Sequence, residues 1–467
     1  VTGFSASAAG AGKLPEALPD IDWLDTDEIR LRQTSYWDAS SLTARALARP
    51  TTTEEVADVL RIASSTGQPV FTHGGRTTCV DAVRTGAGDI ILSLERMNRI
   101  LEIDPVEGIA VVEAGVVLQT LQEAVAQAGM FLPLDLGARG TCTIGGNVAT
   151  NAGGVNVLRY GMMRNLVLGM EAVLPTGEVI SSMNRMLKNN SGFDLKQLFI
   201  GTEGLLGVVT KIVLRLEPDV GARDVAMLAL EDFDAVLKLQ ADAKRTLAAR
   251  LLSFEVMWGA YYDAVTADGG HRPPLPREAP FYVLVETVAA EAGGGETLLS
   301  LLERNLEGGI IADGVVAGSE RERSDFWRVR DDFERILAEP PVYLYDVSLP
   351  LRSMEAYVGE VEKAFRDAFP DGALHVFGHI CDGNLHLFLA PGTAGSDTPG
   401  TRRTADEAVY TALSRFEGAI SAEHGIGREK KEWLPISRSP EEIALMRRLK
   451  RTLDPANILN RGLVFDV

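Results

Sequence analysis

The chain has 467 residues and a formal charge of −19, spread along its length with no long basic block. A single small module is disfavoured, as are nucleic acid and an anionic membrane surface as partners, and two or three domains are expected. Three distant cysteines, Cys79, Cys142 and Cys381, match neither a disulfide framework nor a cysteine metal cluster, so a reducing, cytoplasmic setting is expected. The first twenty residues lack the basic start and apolar run of a signal peptide, and no run of about 18 apolar residues suits a membrane span.

From about residue 50 to 217 strand and helix signals alternate. TTTEEVADVLRIASSTG (51–67) sets Val56, Val59, Leu60 and Ala63 at helical spacing behind polar capping residues. QPVFTHGGRTT then reads as a strand ending in a glycine-rich turn. DIILSL and IAVVEAG are further strands, and VLQTLQEAVAQAG is an amphipathic helix stopped by Gly129. Residues 137–161 carry seven glycines, too many for an ordinary packed helix, and their backbone N–H groups suit bound phosphates. After EGLLGVVTKIVLRLEP the composition changes. Residues 218 to about 425 mix strands FYVLVETV, VYLYDVSLP and ALHVFGHI with helices such as MEAYVGEVEKAFRDAF, where Tyr357, Val361, Phe365 and Ala368 share a stripe; this predicts a separate α+β domain. TADGGHRPPLPREAP and PGTAGSDTPGTRRT read as surface loops. In SPEEIALMRRLKRTLDP, Ser439 is the N-cap, Pro440 the first helical residue and Glu442 the capping-box partner.

Three of the six histidines fall in HVFGHICDGNLHL, 375–387. With Asp382-Gly383 at the centre of a two-residue hairpin turn, Cys381 opposes Asn384 and His379 opposes His386, with Cβ atoms about 4.5–5.5 Å apart on one face. Two imidazoles so placed either share a metal ion or form a hydrogen-bonded pair. His375 shares the face but lies about 13 Å further along. A third ligand has to come from elsewhere, and SAEHGIGREK is the best donor: Glu423 offers a carboxylate, and His424 beside it can accept a proton. Two histidines and a carboxylate with an open position make a catalytic arrangement.

Taken in order, RPTTTEEVADVL, TIGGNVATNAGG, VLGMEAVLPTGEVI, KNNSGFDLKQLFIGTEGLLGVVTK, FGHICDGNLHL, SAEHGIG and LDPANILNRG resemble flavoproteins with an FAD domain of the vanillyl-alcohol oxidase type. Within them the chain resembles the D-2-hydroxy acid dehydrogenases. The resemblance implies an α+β fold: a two-part FAD-binding domain at 1–217 (core 45–217), an α+β substrate or cap domain at 218–425, and a C-terminal helical segment at 426–467 packing back on the FAD domain. It implies FAD contacts from His73 (noncovalent), Gly74, Gly75 and Thr77 in a first pyrophosphate turn, and from Gly145, Gly146, Asn151, Gly153 and Gly154 in a second loop. Glu203, Gly207, Val209 and Asn460 are implied around the flavin. His379, His386 and Glu423 fall on the ligand positions of a divalent metal, commonly zinc, with His424 on the catalytic base and Asn384 beside the substrate.

The implied reaction removes the proton of a 2-hydroxyl, passes hydride to flavin N5 and leaves a 2-oxo acid. The electrons then go to an electron-transfer flavoprotein or a quinone. Arg330, in FWRVRDDFERI, matches an arginine that helps hold a distal carboxylate in relatives acting on 2-hydroxyglutarate. The chain departs from those relatives at Glu334, where they have threonine, and at Leu344, where they have lysine. A positive partner is lost and a repelling charge gained. The expected substrate is therefore a D-2-hydroxy monoacid with an apolar side chain (D-lactate, D-2-hydroxybutyrate or D-mandelate), with Phe333, Tyr343 and Leu344 either lining its pocket or packed in the core. D-2-hydroxyglutarate is the alternative, and a sugar or alcohol oxidase on the same scaffold a further one. The sequence does not set an oligomeric state, although a homodimer is a common arrangement of soluble enzymes.

Overall fold

The computed structural model describes residues 14–267, 269–289, 297–338, 340–392 and 397–467. Helices form where the apolar stripe and the caps agree. Thr52 accepts the Glu55 N–H at the head of Thr53–Thr66, Gly67 ends it in the left-handed region, and Val56, Val59, Leu60 and Ala63 are buried. Ser439 and Glu442 form a reciprocal capping box on Pro440–Leu453. Met354–Ala368 buries Tyr357, Val361 and Phe365, but Ala368 is exposed; Phe369, beyond the helix, packs against Phe365 with ring centroids 5.1 Å apart. The loop expected over 391–404 is helical in its second half, because Thr398 caps Pro399–Leu413, while 393–396 lie outside the described residues.

The chain divides into two compact units. The first comprises the residues up to Gly154, Tyr160–Asp219 and Glu423–Val467, and the second comprises Val155–Arg159 and Val220–Ala422.

Among the described residues the first unit holds two main sheets. One runs β1-β2-β4-β3, from β1 (Asp22–Leu24), β2 (Ala46–Arg49), β3 (Val70–His73) and β4 (Ile90–Ser93), with β2, β4 and β3 parallel. The other is antiparallel in the order β5-β6-β10-β8-β9, from β5 (Ile100–Asp104), β6 (Ile109–Glu113), β8 (Val167–Val173), β9 (Val179–Ser182) and β10 (Val208–Arg215). The short β7 (Met130–Phe131) pairs with β11 (Glu217–Pro218). A continuous apolar core joins helix Thr53–Thr66, both sheets and Ile458-Leu459 near the C-terminus. Leu459 bridges Val70 in parallel, so the last segment is part of the first sheet's surroundings.

The second unit is built on a seven-stranded antiparallel sheet, order β15-β12-β14-β13-β17-β18-β16, from β12 (Arg223–Leu230), β13 (Leu251–Trp258), β14 (Phe281–Val288), β15 (Asp313–Val316), β16 (Tyr343–Ser348), β17 (Ala373–His379) and β18 (Asn384–Ala390). Strand alternation gives one face Glu255, Met257, Phe377, His379, His386, Phe388, Leu344 and Asp346. Met257, Phe377 and Phe388 of that face are in one core cluster with Tyr261 of helix Gly259–Thr266 and Val329 of helix Glu320–Asp331. On the opposite face Tyr345 donates to Asp406 of helix Pro399–Leu413. Among the described residues no helix is long and apolar enough to cross a membrane.

Candidate functional site

A cleft in the first unit gathers three segments far apart in sequence. Thr72 and Gly74 come from the end of β3, Thr143, Gly145 and Gly146 from the next wall, and Glu203, Gly204, Gly207 and Val209 from the approach to β10; Asn460 closes it. Gly145 and Gly146, expected in an open loop, lie inside the short helix Ile144–Thr150, capped by Thr143. Glycine is needed there for close approach rather than for a loop: a Cβ on Gly145 would lie 2.6 Å from the Ala114 Cβ just past β6. At Gly75 a Cβ would lie 2.2 Å from the Thr141 carbonyl oxygen, so the first turn presses on the second wall.

Asn460 braces the cleft from both sides. Its Oδ1 accepts the Thr72 N–H at 2.9 Å and its Nδ2 donates to the Glu203 carbonyl at 2.9 Å. Thr72 Oγ1, His73 Nδ1 and Asn147 Nδ2 are buried without a hydrogen-bond partner in these walls. Buried polar atoms of that kind carry a cost unless a bound polar group meets them, and glycine walls with orphaned donors and acceptors fit a dinucleotide cofactor. His73 is 2 % exposed and its Nε2 contacts the Val83 carbonyl at 2.9 Å; burial, aided by nearby Arg76, drives its pKa down to about 3. Asn151 and Gly154 serve the wall itself. Asn151 Oδ1 accepts the Arg164 N–H, and Gly154, at φ 118, sits against the Asp135 carbonyl. Gly153 is buried and Thr77 half-buried.

The histidine hairpin of the second unit differs from its expected register. Ile380–Asp382 forms a 3-10 turn and Gly383 takes φ 90, so four residues link the strands and Phe377, not His379, lies opposite His386. The shift is of two residues, which keeps both histidines on one face. They are diagonal neighbours with ring centroids 5.5 Å apart and are 6 % and 7 % exposed. His375, by contrast, is satisfied by the Ala260 carbonyl at 3.0 Å.

A carboxylate that sequence reasoning missed organises this face. Glu255, 1 % exposed, faces His379 across the β13–β17 pair and takes its Nδ1 at 2.8 Å. That contact assigns the ring proton to Nδ1 and makes Nε2 the acceptor nitrogen of the ring. The other Glu255 oxygen accepts Arg330 Nε and Nη2 at 2.9 and 2.7 Å. Burial works to raise the Glu255 carboxyl, but the adjacent His379 and the Arg330 guanidinium outweigh it and hold the group below the ordinary carboxylate value. Arg330 lies over the Phe377 ring, 4.7 Å from its centroid, with Nη2 at 3.2 Å from His379 Nε2 and Nη1 donating to Asp331 at 3.1 Å. The one signal for Glu255 in the sequence is a lone charge inside the apolar strand LLSFEVMW.

Asp346 was missed for the same reason, being a lone carboxylate in VYLYDVSLP. Fully buried and opposite His386, it accepts Asn384 Nδ2 at 2.8 Å, Ser421 Oγ at 3.2 Å and the Ala422 N–H at 3.0 Å. Asn384 Oδ1 is left buried without a partner. Asp346 thus fixes the chain immediately before Glu423 and His424. Those two half-buried residues begin the last segment of the first unit, where Glu423 Oε1 accepts the Gly154 N–H at 2.8 Å.

The apolar pocket expected from Phe333, Tyr343 and Leu344 is not formed as a group. Phe333 and Leu344 pack on the core cluster that includes Phe388, while Tyr343 projects to the other side of the sheet with its hydroxyl on Asp397. Glu334 is exposed. The two departures that pointed to a monoacid are therefore a core contact and a solvent-facing charge.

Comparison with known proteins agrees with this anatomy. Residues 44–182 match a family described as "FAD binding domain", and residues 221–464 match "FAD linked oxidases, C-terminal domain". A D-2-hydroxyglutarate dehydrogenase of Xanthomonas citri pv. viticola is 38% identical over 90% of this chain and 89% of its own. The mitochondrial D-2-hydroxyglutarate dehydrogenase of Bos taurus is 39% identical over 96% of this chain and 79% of its own. A putative mitochondrial D-lactate dehydrogenase of Schizosaccharomyces pombe is 37% identical, covering 88% of this chain and 80% of its own. In fold, p-cresol methylhydroxylase superposes with a TM-score of 0.74 at 18% identity, over 98% of this chain and 96% of that one. The mitochondrial names of the cattle and fission-yeast relatives overturn the cytoplasmic setting expected from the cysteines. Unpaired thiols report only a reducing environment and do not name the compartment. With both FAD-linked domains matched and relatives at this identity along nearly its whole length, the chain belongs to the FAD-dependent D-2-hydroxy acid dehydrogenase family and oxidises a 2-hydroxy acid with bound FAD.

Proposed function

We propose that the substrate is D-2-hydroxyglutarate and the product its 2-oxo diacid. The observation that carries this reading is Arg330: a buried guanidinium beside His379 whose outer nitrogen, Nη1, is engaged by Asp331, a side chain that is 55% exposed. An exposed aspartate is cheaply displaced, so a distal carboxylate can take over Nη1 while Glu255 keeps Nε and Nη2 in place. The relatives from Xanthomonas citri pv. viticola and Bos taurus support the same substrate by name.

His379, His386 and Glu423 are the residues that would hold a divalent cation, zinc by the family resemblance. Its chemistry there is to lower the pKa of a bound hydroxyl. Glu255 supports this use by presenting His379 Nε2, and the orphaned Asn384 Oδ1 offers an acceptor for the substrate hydroxyl or a metal-bound water. His424 takes the 2-hydroxyl proton as general base. FAD supplies the two-electron acceptor, and an electron-transfer flavoprotein or quinone is the proposed onward acceptor. A D-lactate-like monoacid is the second reading, favoured by Glu255, which already neutralises Arg330.

Anaerobic bleaching of the flavin, measured with D-2-hydroxyglutarate and D-lactate before and after chelation, tests the proposal. The diacid should bleach it with the higher ratio of rate to dissociation constant, and Arg330→Met should narrow that preference about tenfold or more. Chelation should stop both substrates. Faster bleaching by D-lactate, unaffected by Arg330→Met, would transfer the assignment to the monoacid.

A further inference from the structure

Glu203 was expected at the flavin, yet its carboxylate points into a different task. Oε1 accepts the Ile426 N–H at 2.7 Å and Oε2 accepts the Gly427 N–H at 2.9 Å, the two successive amides of the turn that follows His424. The backbone of Glu203 belongs to the cofactor cleft: its N–H donates to the Ala149 carbonyl at 2.8 Å and its own carbonyl accepts Asn460 Nδ2 at 2.9 Å. It holds φ at 51, a strained value for a residue with a Cβ, and these contacts over-determine it. One residue therefore has its main chain in the FAD wall and its side chain on the His424 turn.

The turn has little slack on its other sides. A Cβ on Gly425, at φ 84, would lie 2.8 Å from Glu203 Oε1, and one on Gly427, at φ 53, would lie 1.9 Å from the Val80 carbonyl oxygen. Arg428 donates its N–H to the same Val80 carbonyl, and the Gly427 carbonyl accepts from Val464. A carboxylate gripping two amides is stronger than a pair of neutral hydrogen bonds and more demanding of geometry.

We infer that Glu203 is the positioning residue for His424, setting the backbone of His424-Gly425-Ile426-Gly427 and registering it to the wall of the cofactor cleft. The inference rests on the reading of His424 as the base. Proton abstraction depends on the heavy atoms meeting within hydrogen-bond reach, and a displacement of about 1 Å costs on the order of 100-fold in rate. Glutamine in place of Glu203 keeps the size but offers one acceptor and sets an N–H donor against the second amide.

Glu203→Gln in the FAD- and metal-loaded protein is therefore expected to keep FAD content, metal content and the dissociation constant for D-2-hydroxyglutarate, while the limiting rate of flavin reduction falls about tenfold or more. In a His424→Asn background the same change should cost less than about twofold, because the group it positions is gone. An unchanged limiting rate in Glu203→Gln overturns the inference, and so does an equal loss in both backgrounds. His424→Asn reducing flavin at the unmodified rate would instead remove the base assignment itself. If Glu203→Gln does not retain FAD, Gly425→Ala, which presses on Glu203 Oε1 from the turn side, is measured in its place. It should lower the limiting rate with the dissociation constant kept, and an unchanged rate again overturns the inference.

Discussion

Glu255 shows how much one buried side chain can decide. With one oxygen on His379 and the other on Arg330 it selects a histidine tautomer and holds a guanidinium over the Phe377 ring. Glu255→Gln should weaken divalent-metal affinity about 10- to 100-fold while FAD affinity stays put, read by calorimetric titration of the metal-free protein; an unaltered metal affinity would remove this role. His73 makes a separate prediction through its depressed pKa of about 3. The unfolded chain takes up a proton near pH 6.5 and the folded one does not, so stability present above pH 6.5 is lost progressively as pH falls toward 3, by about 1 kcal/mol per unit from this group. Denaturant midpoints of the FAD-free protein between pH 4 and 7 should flatten in His73→Asn, and parallel pH profiles would count against it.

At the scale of elements, the glycine-rich second wall is where space matters most. Gly145→Ala adds a methyl where Ala114 already stands, so helix Ile144–Thr150 must move; overpacking of this kind costs about 1–3 kcal/mol. The variant should purify with FAD sub-stoichiometric and a lowered melting temperature, and full flavin content at the unmodified melting temperature would contradict the packing argument. This element also marks where the sequence stops being legible. Helices Thr53–Thr66 and Pro440–Leu453 could be read from stripe and caps because those signals are local. A helix containing Gly145-Gly146 could not, since what stabilises it is its approach to Ala114. The hairpin pattern placed both histidines on one face, yet the 3-10 turn at Ile380–Asp382 altered the register by two residues, a choice made by the loop's own hydrogen bonds. Leu344 read as a pocket residue because a missing lysine is visible in sequence and a core contact with Phe388's cluster is not. Glu255 and Asp346 were visible only as misplaced charges, and their partners come from strands and helices remote in the chain.

For the whole molecule, the apolar core through both sheets of the first unit and the apolar cluster under the second unit's sheet, each formed within its own unit among the described residues, imply more than one cooperative transition on unfolding. Excess FAD should raise the melting of the unit that owns the cleft, by about 2.7 kcal/mol at a hundredfold excess over its dissociation constant, and leave the other transition in place; one transition shifting as a whole would show a single cooperative unit. The first unit is also discontinuous. Thr72 and the Asn460 that clamps it are 388 residues apart, with the entire second unit translated between them. A ribosome-bound chain that has already made β3, the glycine walls and Glu203 still lacks the amide that fastens Thr72 to Glu203. Flavin capture during synthesis is thereby deferred until Asn460 has emerged, and a polypeptide terminated before that residue is left without a finished cofactor seat, which makes flavin content a natural reporter of translation through Asn460.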